Sequence, residues 1–332
     1  MKPAILGISG LALTEAEAAL FRQFPPAGVI LFGRNVQNPE QLTKLTADLR
    51  AALGPDAVIM IDQEGGRVAR LRPPHWAGHP ACGVIGTLYL SAPAAAERAA
   101  WLQGAAIGAE CRAHGFTMVA APVLDLAFPG QNQQVVGDRS FGAAPQAVAV
   151  LGRAMGQGLL AAGVIPVAKH VPGHGRATVD SHHHLPVVDA QGPDWARDRE
   201  PFRILAKEFA CMMTAHILFA GIDDHRPATL SDTVIGTIIR QDIGFPGLLL
   251  SDDLAMHALT GSPLERAEAS LAAGCDIALF CPGDADGNRA ILEALPDVAG
   301  LGPRLAAMKP ATAPLDLTAL LAERQSILEG AA

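Results

Sequence analysis

The sequence predicts an α/β fold, a single (β/α)8 barrel of the TIM type. Three observations point there. Eight short runs are apolar at nearly every position, the segments between them carry helix punctuation, and polar residues stand where several runs end. Runs without alternation suit strands buried on both faces, as in a parallel sheet enclosed by helices, and eight strands alternating with helices suit closure into a barrel.

In chain order the runs are AILGI (4–8), GVILF (28–32), AVIMI (57–61), TMVAAP (117–122), VIPVA (164–168), CMMTA (211–215), GLLLS (247–251) and DIALF (276–280). Between the first two, Thr14 to Glu17 reads as a capping box, with the Thr side chain capping the helix and the Glu reaching back to it. Asn38 and Pro39 open the next helix and Gly54 closes it, as an N-cap, an N1 proline and a C-terminal glycine do. Pro73–Ala96 is uncharged and long enough to span a bilayer, but four prolines and several glycines make it a loop plus a helix start. Gly115 and Gly163 stand just before strands, Ser262-Pro263 opens a helix that Gly274 closes, and LTALLAERQSILEG forms a short helical tail. No linker or low-complexity stretch divides the chain, so residues 1–332 are expected to form one barrel domain that ends in this tail. A doubly wound open sheet is the rival architecture. GISG after the first run gives no GxGxxG fingerprint, and no P-loop is present.

Composition narrows the function. Half the residues are apolar and 17% are charged, which excludes a disordered chain or a charged coiled coil. The net charge is −8, and no basic run offers the clustered cations that nucleic acid requires. Five cysteines with no CxxC pair argue against a disulfide framework or a Cys-rich zinc site and favour a reducing compartment. The amino-terminal segment resembles an export signal in having one Lys before a short apolar run. Gly7, Ser9 and Gly10 interrupt that run, however, and it reads better as the first strand.

The run ends are the informative positions. Arg34 follows the second run. Asp62, with Arg67 and Arg70 nearby, follows the third. Asp125 and then Asp138-Arg139 follow the fourth, Lys169-His170 the fifth and His216 the sixth, while Ser251-Asp252-Asp253 ends the seventh. A barrel gathers such residues on one rim, where barrel enzymes keep their active sites. The segment KHVPGHGRATVDSHHHLP (169–186) is then the loop after strand five, a glycine-containing candidate lid. Pro172, Gly173 and Gly175 argue against a helix that would bring His170 and His174 together on zinc. Asp180 and His182 are two apart. In an extended segment the carboxylate lies beside the imidazole, orients it and favours its charged form, which gives a proton donor near neutral pH.

With GFPGLLLSDDLAM, this loop segment resembles the bacterial β-N-acetylglucosaminidases of glycoside hydrolase family 3. GVILFGRNVQNPEQL, VIMIDQEGGRVARL, VVGDRSFG and AGCDIALFCPG extend the resemblance over most of the chain. The resemblance implies a retaining, two-step mechanism without a metal or organic cofactor. Asp252 would be the nucleophile and His182 the acid/base assisted by Asp180, with Asp62, Arg70, Arg139, Lys169 and His170 holding the sugar. It further implies a cytoplasmic enzyme that removes N-acetylglucosamine from cell-wall muropeptides, with carbohydrate as its partner rather than nucleic acid or membrane. A monomer is expected. The segment LRPPHWAGHPACG and the FCPG after strand eight depart from the family pattern. Rival readings are a phosphorylase that uses phosphate in place of water, a metal-dependent barrel hydrolase built on His170, His174, His182 and Asp252, and a sugar-binding module without chemistry.

Overall fold

In the computed structural model, which describes residues 1–128, 134–177, 184–190, 192–311 and 314–330, each of the eight runs supplies one barrel strand. These are β1 (Lys2–Gly7), β2 (Pro26–Leu31), β3 (Val58–Ile61), β4 (Met118–Val119), β5 (Ile165–Val171), β7 (Cys211–Thr214), β9 (Leu248–Asp253) and β10 (Ile277–Phe280). All neighbours pair in parallel, and the ring closes where Ala4 to Leu6 of β1 pair with Ala278 to Phe280 of β10. Inward and outward residues alternate, as strand geometry requires. Ile5, Ile30, Val58 and Met60 fill the interior, while Leu6, Val29, Leu31, Ile59 and Ile61 face the helices. Both sets are buried, which is why the runs show no polar alternation. Each such side chain contributes roughly 1.5–3 kcal/mol through burial.

The helices are α1 (Glu15–Gln23), α2 (Pro39–Leu53), α3 (Cys82–Tyr89), α4 (Pro93–Ala113), α5 (Pro145–Ala161), α6 (Pro193–Leu205), α7 (Pro263–Ala273), α8 (Ala285–Ala294), α9 (Leu301–Ala307) and α10 (Leu317–Glu329). The Thr14–Glu17 capping box, the Asn38 cap with Pro39 at the first position, and the Ser262 cap closed by Gly274 are all present. Among the described residues no helix is long and apolar enough to cross a membrane.

Four features differ from the sequence reading. The segment read as loop plus helix start holds a complete helix, α3, ahead of α4. β4 is only two residues long, and pairing resumes at Val123, which bridges Lys169. A second, two-stranded parallel sheet joins β6 (Val187–Asp189) to β8 (Leu218–Ala220) and fixes the far side of the loop after β5 to the segment after β7. Finally, α9 sends Leu301 and Leu305 into the interior cluster beside Cys211 and Leu248, plugging the end of the barrel where strands begin.

The tail helix is anchored as well. The buried Arg324 guanidinium donates to Nδ1 of His79 at 2.8 Å, and His79 Nε2 lies 2.7 Å from the Glu110 carboxylate. Helices α4 and α5 meet backbone to backbone: a Cβ on Gly104 would lie 2.0 Å from the Met155 carbonyl oxygen, and one on Gly158 2.1 Å from that of Trp101. Gly104→Val should therefore push the pair apart and destabilise the fold by about 1–3 kcal/mol. The measurement is the urea midpoint, which should fall with an unchanged m value; an unmoved midpoint contradicts this packing.

Candidate active site

The carboxyl ends of the strands converge on a cavity of about 100 Å³ whose walls include Phe32, Asp62, Arg70, Lys169, Met213, Asp252, Asp253 and Cys281. The centre of its charge is the Lys169 ammonium, which is 3% exposed. It lies 2.7 Å from Asp62 Oδ1 and 2.6 Å from Glu64 Oε1. Arg70 closes on the other Asp62 oxygen at 2.7 Å, and its guanidinium lies over the Phe32 ring. Arg139 grips both Glu64 oxygens at 2.7 and 2.8 Å. Burial alone would raise the pKa of Asp62 and Glu64. The cations outweigh it, with Lys169 and Arg70 on Asp62, and Arg139 and Lys169 on Glu64, so both carboxyls sit below the ordinary range. Burial disfavours the Lys169 charge, but the same two carboxylates raise its pKa overall.

His170 reaches the site through Asp125, with Nδ1 2.6 Å from an oxygen of this fully buried carboxylate. Asp125 also accepts the His174 amide at 2.7 Å and so ties the root of the loop after β5 to the loop after β4. The ring of His174 is buried, which lowers its pKa to about 4 with help from His170. Arg34 stands at the rim as its position suggested, but its guanidinium donates to the carbonyls of Ile8 and Cys281 and joins two loops rather than entering the cavity.

At the end of β9 two adjacent aspartates have different surroundings. Asp253 Oδ1 accepts the amides of Ala255 at 2.9 Å and Cys281 at 3.0 Å, which fastens β9 to β10. Its burial raises its pKa despite those bonds. Asp252 Oδ1 accepts the Asp253 amide at 2.8 Å, and among the described residues no donor bonds its Oδ2. Burial works against the Asp252 charge as well, but His216, His170, the Asp253 amide and Lys169 together lower its pKa. Asp252 thus presents an ionised oxygen to a cavity that Asp62, Arg70 and Lys169 also line.

The sequence-predicted Asp62, Arg70, Lys169 and Asp252 come together in one cavity. Arg139 joins them through Glu64, and His170 through Asp125. Asp180 and His182 lie outside the described residues. Glu64 was missed, although its place two residues after Asp62 in IDQEGGR is the spacing that puts two side chains on one side of an extended segment. Among the described residues no group of three or more His, Cys, Asp or Glu side chains is arranged to hold a metal ion.

The depressed carboxyls set a pH dependence. Their contribution to stability is present above the unfolded carboxyl pKa, about 4, and is lost as the pH falls through the lower folded values. Glu64→Gln should remove about 3–5 kcal/mol at pH 7, as when a buried ion pair loses one partner. It should also lessen the loss of stability on acidification below about pH 4. Urea midpoints at pH 7 and pH 3 check both; a variant that loses as much on acidification as the parent contradicts the assignment.

Comparison with known proteins agrees with this geometry. Residues 4–305 match the glycosyl hydrolase family 3 N terminal domain. The chain is 39% identical over 283 residues to a β-hexosaminidase of Bordetella avium, spanning 84% of this chain and 80% of the relative. It is 40% identical over 300 residues to a β-hexosaminidase of Alkalilimnicola ehrlichii, spanning 89% and 84%. It also superposes on the crystal structure of NagZ from Neisseria gonorrhoeae in complex with N-trifluoroacetyl-D-glucosamine with a TM-score of 0.88 at 35% identity, spanning 100% of this chain and 98% of that one. A closed parallel barrel with an ionised aspartate at a strand end, matched over its length to these relatives, places the chain in glycosyl hydrolase family 3: it is a glycoside hydrolase.

Proposed function

We propose that the chain is a retaining exo-β-N-acetylglucosaminidase. The observation that carries the reading is the Asp252 carboxylate, held ionised with one oxygen turned to a cavity that Asp62, Arg70 and Lys169 also line. In the first step Asp252 Oδ2 attacks the anomeric carbon of a terminal N-acetylglucosamine. The glycosidic bond breaks, and its electron pair leaves on the aglycone oxygen, which takes a proton from His182. In the second step His182 accepts a proton from water, the water oxygen attacks the same carbon, and the bond to Asp252 breaks. Two inversions give net retention. Asp180 orients the His182 imidazole. Asp62, Arg70 and Lys169 hold ring hydroxyls, with Arg139 and His170 buttressing that wall.

The relatives named β-hexosaminidase and the N-trifluoroacetyl-D-glucosamine bound to the gonococcal protein support an N-acetylhexosamine in the cavity. The natural substrate in this reading is N-acetylglucosamine linked to anhydro-N-acetylmuramic acid in muropeptides. The chain works on it as one catalytic domain, a monomer recycling cell wall in the cytoplasm.

Proton NMR of the first sugar released tests the reading. The β anomer should appear before mutarotation, and Asp252→Asn should abolish its release; the α anomer appearing first would refute a retaining path. Water as the acceptor predicts the same product with or without phosphate, whereas N-acetylglucosamine 1-phosphate would show a phosphorylase. Loss of the general acid typically lowers the rate about 10²–10⁴-fold. His182→Ala should lose most of that on a disaccharide and much less on an aryl glycoside with a good leaving group. Equal losses on both would remove His182 from the acid role.

A further inference from the structure

The Asp252–Asp253 peptide is held by a circuit of buried hydrogen bonds that no step of the mechanism above uses. The Asp252 amide donates to Thr214 Oγ1, at the end of β7, at 3.2 Å. Thr214 Oγ1 lies 2.7 Å from Thr229 Oγ1, which lies 2.8 Å from His216 Nδ1. His216 Nε2 lies 2.9 Å from the Asp253 carbonyl oxygen and so returns to β9. Thr214, His216 and Thr229 are each 0% exposed.

The proton order follows from which atoms can donate. A carbonyl only accepts, so Nε2 of His216 carries a hydrogen. Burial lowers the pKa of this imidazole despite the nearby aspartates, so near neutral pH Nδ1 is bare and accepts. Thr229 then donates to Nδ1, the nearer acceptor, with the Ala215 carbonyl oxygen a second and longer one at 3.1 Å; it accepts from Thr214, and Thr214 accepts the Asp252 amide. The hydrogens then run in one direction round the circuit, the Thr229 hydrogen being shared with the Ala215 carbonyl. Both nitrogens of His216 are occupied, so it is not placed to exchange a proton with a sugar.

The circuit encloses one peptide unit. Its N–H belongs to Asp253 and is the donor that tethers Asp252 Oδ1 at 2.8 Å. Holding the Asp252 amide on one side and the Asp253 carbonyl on the other fixes the direction of that N–H, and with it which carboxylate oxygen faces the cavity. We infer that His216, with Thr214 and Thr229, is a positioning residue that aims Asp252 Oδ2 at the anomeric carbon by locking the Asp252–Asp253 peptide. The inference rests on Asp252 being the nucleophile.

The role calls for a buried ring that accepts at one end and donates at the other. His216→Gln keeps a donor and an acceptor; His216→Phe keeps only the shape. Thr229→Val is isosteric and removes the hydroxyl that links Thr214 to His216. Misplacing a reacting group by about 1 Å can cost on the order of 10²-fold. The measurement is the pre-steady-state glycosylation rate on aryl N-acetylglucosaminides of good and poor leaving groups, alongside the inhibition constant of N-acetylglucosamine. His216→Phe and Thr229→Val should lose rate by the same factor on both leaving groups, with inhibitor binding unchanged, and His216→Gln should recover much of the loss. A general acid would show unequal factors, and a loosened pocket would weaken inhibitor binding; either result overturns the inference. If His216→Phe does not fold, Thr229→Val carries the test. Asp252→Ala is run alongside. Should it keep the parent rate, the nucleophile assignment falls. Should it be inactive while Thr229→Val and His216→Phe keep the parent rate, the inference falls and the assignment stands.

Discussion

The site depends on one buried cation. Lys169 has almost no solvent and lies between two carboxylates from the loop after β3. An ammonium without water is tolerated only when opposite charges and hydrogen bonds replace its hydration. Asp62 and Glu64 supply them and are themselves matched by Arg70 and Arg139. Strands β3 and β5 are not neighbours, since β4 lies between them. The charge network therefore spans β4, which is only two residues long and leaves room for the Asp125–His170 pair above it. Barrel closure and site assembly are thus coupled, because the network forms only when these strand ends are in register.

The same arrangement separates two chemically identical side chains. Asp252 and Asp253 are adjacent, yet opposite pKa shifts follow from their surroundings. Asp253 spends an oxygen on two backbone amides and holds β10 in place, while Asp252 looks across the cavity at Lys169. Pairs of titratable groups pushed apart by environment mark acid–base and nucleophilic roles. Here the division is between a carboxylate bonded into the wall and one that faces the cavity.

Much of this was legible in the sequence because it lies on strand ends. A continuous apolar run marks a buried strand, and the first polar residue after it marks the rim, which brought out Asp62, Lys169, His170 and Asp252. The capped helices were readable because Thr14, Asn38 and Ser262 act on backbone groups a few residues away. What was not legible depends on distant partners. Glu64 acquires meaning only when Arg139, 75 residues on, closes on it. His216 and Thr229 become one circuit only through contact with β9. Helix α3 was hidden because Cys82–Tyr89 lacks a side-chain cap and charges to give it a face. The second sheet was hidden because β6 and β8 are three residues each.

The central claim is that the ionised aspartate opposite Lys169 forms the covalent bond to the sugar. The most direct measurement is to trap the glycosyl-enzyme with a 2-deoxy-2-fluoro or 5-fluoro glycoside, digest it, and locate the adduct by tandem mass spectrometry. The account predicts a single added sugar on Asp252. An adduct on Asp253, or none from an enzyme that the probe inactivates in step with turnover, would contradict it.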